Sequence, residues 1–235
     1  MSTPPSARRR RGLAIASLVL GLVSLPTIGL VGIGAVLGIV FGVIALVKAS
    51  RAPAEYGGQG LAIAGIALSV LSVLVMPFVI GIVAAIAIPS LLRARVSANE
   101  SAAIGDIRAV LSAQIAYSAA NGGYYDTLAC LTAPTGCIPG YSGPAMIDRD
   151  VATTDVRHGY KRVFHPGPVP TGSLPSTVSR SSITSFAFVA VPVQQGQSGV
   201  RAFCGDASGR LCYTVDGSAP EVVGGVCPEN CPDLR

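Results

Sequence analysis

Two long stretches without any ionisable side chain occupy most of the first 92 residues of this sequence. Gly12–Val47 spans 36 residues and Tyr56–Leu92 spans 37 residues without Asp, Glu, Lys, Arg or His. About 20 apolar residues are enough to cross a bilayer as an α-helix. Only 12% of the chain is charged, against roughly a quarter in soluble domains. The sequence therefore predicts a membrane protein, whose first partner is the lipid bilayer.

The first uncharged stretch is too long for one ordinary helical span. Pro26 lies near its middle, where a helix break is expected because proline lacks an N–H donor and clashes with the preceding turn. We predict a transmembrane helical hairpin over residues 12–47, with helices at Leu13–Leu25 and Ile33–Val47. Each helix is short, so a hairpin that thins the bilayer or re-enters it stays an open alternative.

Three glycines recur every four residues in the second of these helices: Gly34, Gly38 and Gly42. Residues four apart lie on one face of a helix, and small residues there let two membrane helices approach closely. We predict that this stripe packs against a partner helix. A ligand groove or a lipid site along the stripe is the alternative.

The net charge of +5 is confined to the part of the chain before Arg93. This part contains the basic residues Arg8–Arg11, Lys48 and Arg51 and a single acidic residue, Glu55. From Arg93 onward, the numbers of basic and acidic residues are equal and their charges cancel. Basic residues favour the cytoplasmic side, which predicts a cytoplasmic tail at residues 1–11, a cytoplasmic loop at residues 48–59 and a third helix that crosses outward.

Cleavage as a signal peptide is not expected, because the apolar run is too long. Charge that flanks membrane segments also argues against nucleic-acid binding.

The second uncharged stretch leads into a single predicted helix over residues 60–121. Its first half is apolar on all sides and predicts the third membrane span. Its second half is amphipathic, with apolar residues at three- and four-residue steps and one two-turn gap. These apolar positions are Val96, Ile104, Ile107, Leu111 and Ile115. A helix of this composition is expected to lie in lipid at one end and to pack on a folded domain at the other.

The sequence of this helix resembles that of type IV pilins and pseudopilins. The similar segments are GIVAAIAIP from Gly81, then SLLRAR and ANESAAIGDIRAVLSAQIAY, and GGYYDTL from Gly122, and the resemblance covers about residues 68–220. Its motif positions in this chain are Gly81, Pro89, Arg93, Arg95 and Glu100. The resemblance implies a helix that anchors the protein in the inner membrane and packs on an antiparallel sheet. It also implies partners among other pilin-like subunits or components of type IV pili and type II secretion systems.

One departure from the pilin pattern concerns the cleavage site. In that family a Glu follows the cleavage point at the fifth mature position, and counting back from Pro89 places it at Ser72, with the junction near Ala67–Leu68. Neither the acid nor a polar leader is present. We therefore do not expect processing by prepilin peptidase.

The region before the long helix resembles a small bacterial membrane family, domain of unknown function 4190, over about residues 12–74. A repeat carries the resemblance: GLAIASLVL from Gly12 and GLAIAGIAL from Gly60 agree at six of nine positions. The resemblance implies no defined chemistry. We interpret the chain as a fusion in which this module replaces the pilin leader and the start of the pilin helix.

Residues 122–235 are rich in turns and in β-forming segments, which predicts an extracytoplasmic β-rich domain. Four segments are predicted as strands: Gly159–His165, Thr184–Val191, Val200–Cys204 and Leu211–Val215. The last two form a hairpin around Ala207-Ser208-Gly209, with Gly209 in the left-handed region and Cys204 opposite Cys212. The fold class is therefore α+β: a transmembrane hairpin, then a long helix packed on a small antiparallel sheet.

All six cysteines lie beyond the predicted membrane spans: Cys130, Cys137, Cys204, Cys212, Cys227 and Cys231. An even set confined to one polar region indicates disulfides in an oxidising compartment. We prefer the pairs 130–137, 204–212 and 227–231. The alternative, 204–227 with 212–231, ties the terminal loop to the sheet as the pilin resemblance implies.

No pattern in the sequence points to an enzyme or to a cofactor. The gaps between the four late cysteines do not match a zinc site, and the two histidines, His158 and His165, flank a strand and are expected at the surface. Asp148, Asp150 and Asp155 lack the glycine and final Glu of a calcium loop and are expected in a solvated loop. We expect a multi-pass inner-membrane structural or interaction protein. A membrane sensor with a ligand-binding outer domain is the alternative.

Overall fold

The computed structural model describes residues 11–24, 31–53 and 56–234. The described chain divides into two compact units, Met1–Pro89 and Ser90–Arg235. The turn predicted around Pro26 and most of the basic tail lie outside the described residues. The predicted α+β class is confirmed, because the chain contains helices and a five-stranded antiparallel sheet.

Three helices contribute to the N-terminal unit. Helix α1 is Gly12–Ser24, α2 is Val31–Arg51, and α3 runs over Gln59–Ala120 without interruption at Pro77 or Pro89. Within the described residues, Ile33–Arg51 and Gln59–Ala120 are long and apolar enough to cross a membrane, while Gly12–Val23 is shorter. These helices indicate a membrane protein by length and composition.

The second unit contains the sheet and two short helices. Helix α4 is Leu128–Thr132 and α5 is Arg149–Thr153, and a 3-10 turn occupies Pro134–Gly136. The strands are β1 Val156–Arg157, β2 Tyr160–Pro166, β3 Phe186–Pro192, β4 Ala202–Asp206 and β5 Leu211–Thr214. They form an antiparallel meander in the order β1-β2-β3-β4-β5.

The first strand was not predicted. Asp148, Asp150 and Asp155 are exposed, as predicted. They do not share one loop, because Asp150 lies in α5 and Asp148 caps that helix by accepting a hydrogen bond from the Asp150 N–H. Strand β1 follows, and its turn into β2 uses His158 and Gly159, both at positive φ. That conformation is the two-residue hairpin turn whose twist matches the flanking strands.

The main core of the second unit lies between α3 and one face of the sheet. Helix α3 contributes Ala103, Ile107, Val110, Leu111 and Tyr117, and the sheet contributes Tyr160, Phe186, Phe188, Ala190 and Phe203. The predicted apolar pattern is wrong at its last position, because Ile115 is exposed and Gln114 is buried instead. The opposite face of the sheet forms a second cluster with the C-terminal cysteines, Cys227 and Cys231.

Candidate functional site

The C-terminal segment is fixed to the sheet face opposite α3 by two disulfides. Cys204 on β4 bonds Cys227, and Cys212 on β5 bonds Cys231. Residues Tyr213 and Leu234 add backbone hydrogen bonds, since the Tyr213 N–H donates to the Pro232 carbonyl and the Leu234 N–H donates to the Leu211 carbonyl. The segment therefore covers the free edge of β5 as well as its outer face.

The preferred pairing of these four cysteines, 204–212 and 227–231, is wrong, and the pair Cys130–Cys137 is confirmed. The predicted register is correct, since Cys204 lies opposite Cys212. The Asp206 N–H donates to the Arg210 carbonyl, and by alternation along the ladder Cys204 and Cys212 are also a hydrogen-bonded pair. Their Cβ atoms are then about 5.5 Å apart, farther than the roughly 4 Å of a disulfide.

Arg210, which directly precedes β5, binds the C-terminal loop through its whole guanidinium. Its Nε donates to the Asp233 carboxylate at 2.5 Å, Nη1 donates to the Pro228 carbonyl at 3.0 Å, and Nη2 donates to the carbonyls of Glu229 and Cys231 at 3.2 and 2.5 Å. A planar group with five donors can satisfy this many acceptors at once. Arg210 thus fixes the path of the loop between the two disulfides.

Asp206, at the end of β4, is buried and also stabilises this loop. One carboxylate oxygen accepts the Cys227 N–H at 3.0 Å, and the other accepts the N–H and hydroxyl of Ser208 at 3.0 and 2.5 Å. The turn that follows has Gly209 at φ +82°, as predicted. Asp206 therefore holds both the hairpin turn and the first residue of the disulfide-bonded loop.

A groove of about 850 Å³ opens beside this loop. Its lining includes the carboxylates Asp216, Glu221 and Glu229 and no basic side chain. The N–H and hydroxyl of Ser218 donate to Asp216 and hold its pKa below the ordinary value. The apolar part of the lining includes Tyr213, Val215, Pro220, Val223, Val226 and Pro232. The groove combines negative charge with exposed apolar surface.

Glu100, a motif residue of the pilin resemblance, lies where α3 meets the segment before β4. Its carboxylate accepts the backbone N–H groups of Val200 and Arg201 at 2.9 and 3.1 Å, and Nε and Nη2 of Arg201 at 3.0 and 2.6 Å. Burial raises the pKa of Glu100, but these donors outweigh burial and bring the pKa below 4.5. The Arg201 guanidinium also lies 5.5 Å from the ring centroid of Phe203 and 5.1 Å from that of Tyr213.

The other four motif residues have no comparable contacts. Arg93 and Arg95 are exposed on α3, and Pro89 lies within that helix. A Cβ at Gly81 would meet nothing within 4 Å. Among these five motif residues, only Glu100 accepts hydrogen bonds from the segment before β4.

A buried polar network at the end of α3 was not found by sequence reasoning. The Asp126 carboxylate, fully buried, accepts hydrogen bonds from the hydroxyls of Tyr117 at 2.9 Å and Ser181 at 3.1 Å, and from the Thr127 N–H at 2.7 Å. Burial and the neighbouring Asp126 raise the pKa of Tyr117, so its hydroxyl stays a donor. The segment GGYYDTL contains Asp126, but nothing in it indicates that Tyr117 and Ser181 bind this carboxylate.

The glycine stripe of α2 lies between the other two helices of the N-terminal unit. A Cβ at Gly38 would lie 2.3 Å from the Ser69 hydroxyl, and one at Gly42 would lie 2.4 Å from Ile66. The Ser17 hydroxyl donates to the Gly38 carbonyl at 2.9 Å. Gly34 is half-buried. At Gly38 and Gly42, only glycine permits this approach of the helices.

The described residues offer no arrangement typical of metal binding. Within residues 11–24, 31–53 and 56–234, no three His, Cys, Asp or Glu side chains gather in a way that can hold an ion. All six cysteines are in disulfides. His158 lies in the β1–β2 turn and His165 lies on β2.

Comparison with known proteins finds one family match. Residues 13–80, which include all but the first residue of α1, the whole of α2 and the beginning of α3, match a family described as "Domain of unknown function (DUF4190)". This match confirms the resemblance of the membrane module, whose predicted range was 12–74. No curated protein and no solved structure matches the chain.

Proposed function

We propose that this chain is a membrane-anchored, type IV pilin-like structural protein that presents its disulfide-bonded domain outside the cytoplasmic membrane. The proposal rests on a change along α3, whose first half exposes apolar side chains and whose second half buries them. Thirteen large apolar side chains between Val70 and Leu92 are exposed, whereas Ile107, Val110 and Tyr117 are fully buried against the sheet. One helix thus supplies both an apolar surface suited to lipid and the central helix of the outer domain.

The disulfides and the flanking charges support the proposed orientation. Three disulfides in one domain are typical of an oxidising compartment. The basic residues Arg8–Arg11, Lys48 and Arg51 favour the cytoplasm for the opposite ends of the membrane helices. We propose a multi-pass protein with three spans and a C-terminal domain on the outer side.

The chain is proposed to act without cleavage by prepilin peptidase. Ser72 occupies the position where the pilin pattern requires Glu, and its hydroxyl donates to the Leu68 carbonyl within α3. Two further helices precede this position and would have to leave the bilayer during extraction. The protein is therefore expected to stay in the membrane, where its outer domain contacts pilin-like subunits or secretion components.

Protease accessibility tests this proposal directly. Full-length protein with a C-terminal tag should lose the tag in intact spheroplasts, and an N-terminal tag should be lost only after lysis. Shearing should leave full-length protein in the membrane fraction. A protected C-terminal tag would overturn the orientation, and a shortened form in sheared filaments would overturn the absence of cleavage.

The assembly part of the proposal needs its own experiment. A photo-crosslinking residue at Phe78, exposed on α3, should give adducts with another pilin-like subunit or a second copy, because this helix provides the proposed contact surface. The matched control is the same residue at Ile15, exposed on α1. Adducts absent at both positions, or equal at both, would contradict assembly through α3.

The groove beside the C-terminal loop favours a second function, that of a ligand-binding sensor. Its carboxylates Asp216, Glu221 and Glu229 would suit a cationic ligand. This alternative predicts that replacing the three acids with amides abolishes a signalling phenotype while membrane retention and crosslinking at Phe78 stay unchanged.

A further inference from the structure

A small cavity in the N-terminal unit has no place in the proposed presentation role. It has a volume of about 250 Å³ and lies where α1 begins, α2 ends and the chain approaches α3. Its lining includes Leu13, Ala14, Ala45, Lys48, Tyr56 and Gly57. The volume is below the roughly 300 Å³ at which pockets for whole small molecules begin. A cavity of this size suits a headgroup, not an entire lipid or a cofactor.

The charged residues that the structure describes at the cavity are basic. The Lys48 ammonium lies 5.7 Å from the ring centroid of Tyr56, so the ring holds the cation at the cavity wall. Arg11 is close by, because a Cβ at Gly58 would lie 3.6 Å from its Cγ. Arg51 follows Lys48 by one helical turn. Among the residues that the structure describes, which do not include Glu55, none of those lining the cavity is acidic.

The cavity also lies at the boundary between uncharged and charged sequence. The uncharged runs begin at Gly12 and at Tyr56, and the first run ends at Val47, next to Lys48. Leu13, Ala14 and Ala45 form the apolar part of the lining, the apolar floor of the cavity. Phospholipid headgroups lie at such a boundary, where lysine and arginine attract anionic lipids.

We propose that this cavity binds the headgroup of an anionic phospholipid, with the phosphate at Lys48 and Arg11 and the glycerol region on the apolar floor. The phosphate could belong to a lipid or to a soluble anion. The lipid is favoured, because the uncharged helices place lipid, and not a soluble anion, at the cavity mouth. The module matched over residues 13–80 thereby gains a lipid-recognition site.

Native mass spectrometry of the full-length protein in detergent tests the proposal. Phosphatidylglycerol and phosphatidylcholine with identical acyl chains are added separately, and retained adducts are counted. Phosphatidylglycerol should be retained preferentially, and Lys48→Gln should weaken its binding about fivefold, the ratio expected for one cation at an anionic surface. Lys48→Arg should keep most of the binding, because it preserves the charge.

The sequence offers a matched control, since Lys161 is the only other lysine and is exposed on β2 of the second unit. Lys161→Gln should leave lipid binding unchanged. Tyr56→Leu should weaken binding, whereas Tyr56→Phe should not, because the ring alone holds the ammonium. The two Tyr56 variants test the site even if Lys48→Gln fails to fold, as judged by far-ultraviolet circular dichroism.

Three results would overturn the proposal. Equal retention of both lipids would remove headgroup recognition, and equal losses for Lys48→Gln and Lys161→Gln would indicate a nonspecific charge effect. Displacement of phosphatidylglycerol by inorganic phosphate at the same concentration would identify a soluble anion as the ligand.

Discussion

Two carboxylates on α3 show how buried charge fixes the helix to the sheet. Glu100 pairs with Arg201, and Asp106 bonds Arg157 and Arg162, each at 3.1 Å. Arg162 also donates to the carbonyls of Asp150 and Thr154. Burying a charge is costly unless it is paired and hydrogen-bonded. These bonds therefore fix the position of α3 along the sheet more specifically than its apolar contacts do.

Glu100→Gln is expected to destabilise the second unit. The amide keeps the shape of the side chain but loses the charge-assisted bonds to Arg201, which should lower the free energy of unfolding by about 1–2 kcal/mol. Thermal unfolding of the full-length protein in detergent, followed by near-ultraviolet circular dichroism of tyrosine, measures the change. Six of the seven tyrosines lie in this unit. An unchanged melting temperature would contradict the assigned role.

The pH dependence of the same pair has a defined sign. The folded pKa of Glu100 lies below its ordinary value of 4.5. Its stabilisation is therefore complete above pH 4.5 and is lost as the pH falls through the lower folded value. The wild-type protein should lose more stability than Glu100→Gln over this window in the same unfolding experiment. Parallel pH profiles for the two proteins would exclude this linkage.

Arg210→Lys is expected to loosen the C-terminal loop without breaking its disulfides. A lysine ammonium cannot reach the three carbonyls and the Asp233 carboxylate together. Cleavage by a glutamate-specific protease after Glu229, whose carbonyl Arg210 binds, should become several-fold faster, as measured by mass spectrometry after reduction. Arg180→Lys, at an exposed position outside the loop, is the matched control. Equal rates for both variants would show that the disulfides alone hold the loop.

The secondary structure elements show which features follow from local sequence. Strands β2 to β5 were predicted because each has β-branched or aromatic residues bounded by Gly and Pro, and the β4–β5 register follows from its turn at Gly209. Strand β1 has two residues, too few for a detectable period. Helix α3 was predicted from Gly60 onward, and it begins at Gln59.

The features that were missed depend on contacts distant in sequence. The disulfide partners of Cys204 and Cys212 depend on where the C-terminal segment lies, which no local pattern encodes. Ile115 was assigned to the buried face, but Gln114 is buried there because it exchanges hydrogen bonds with the backbone of Asp126. The side chains of Asp206 and Arg210 bind different parts of the C-terminal loop, and these contacts also join residues about 20 positions apart in sequence.

Gly205 lies where β4 packs closely against α3. A Cβ there would lie 2.4 Å from Cγ2 of Ile107 and 3.0 Å from Cδ1 of Leu111. Gly205→Ala should therefore lower the free energy of unfolding by about 1–3 kcal/mol through overpacking. Gly105→Ala is the matched control, because a Cβ at Gly105 meets nothing within 4 Å and alanine favours the helix by up to ~1 kcal/mol. The two variants should change the melting temperature in opposite directions, and a shared sign would contradict this packing.

At the scale of the whole molecule, the two units are stabilised by different forces. The N-terminal unit packs small residues, with glycines between helices and serine hydroxyls bonded to helix carbonyls. Such packing is typical of helices in lipid, where apolar burial gives no driving force. The second unit has aromatic clusters, buried ion pairs and three disulfides, as expected of a domain that folds in water. Each unit should therefore fold in its own medium.

A soluble fragment of residues 93–235 is accordingly expected to fold without the membrane helices. It begins directly after Leu92, where the long uncharged run ends, and retains the helical half of the core, including Ala103, Ile107, Val110 and Leu111. It should be monomeric by size exclusion, show a tyrosine near-ultraviolet signal and contain no reactive thiols. A fragment beginning at Ser112 lacks those four core residues and should expose its apolar sheet face and aggregate. If the longer fragment also aggregates, or if both fold equally well, then α3 is not the central helix of this domain, and the proposal of one helix that serves both membrane and domain fails with it.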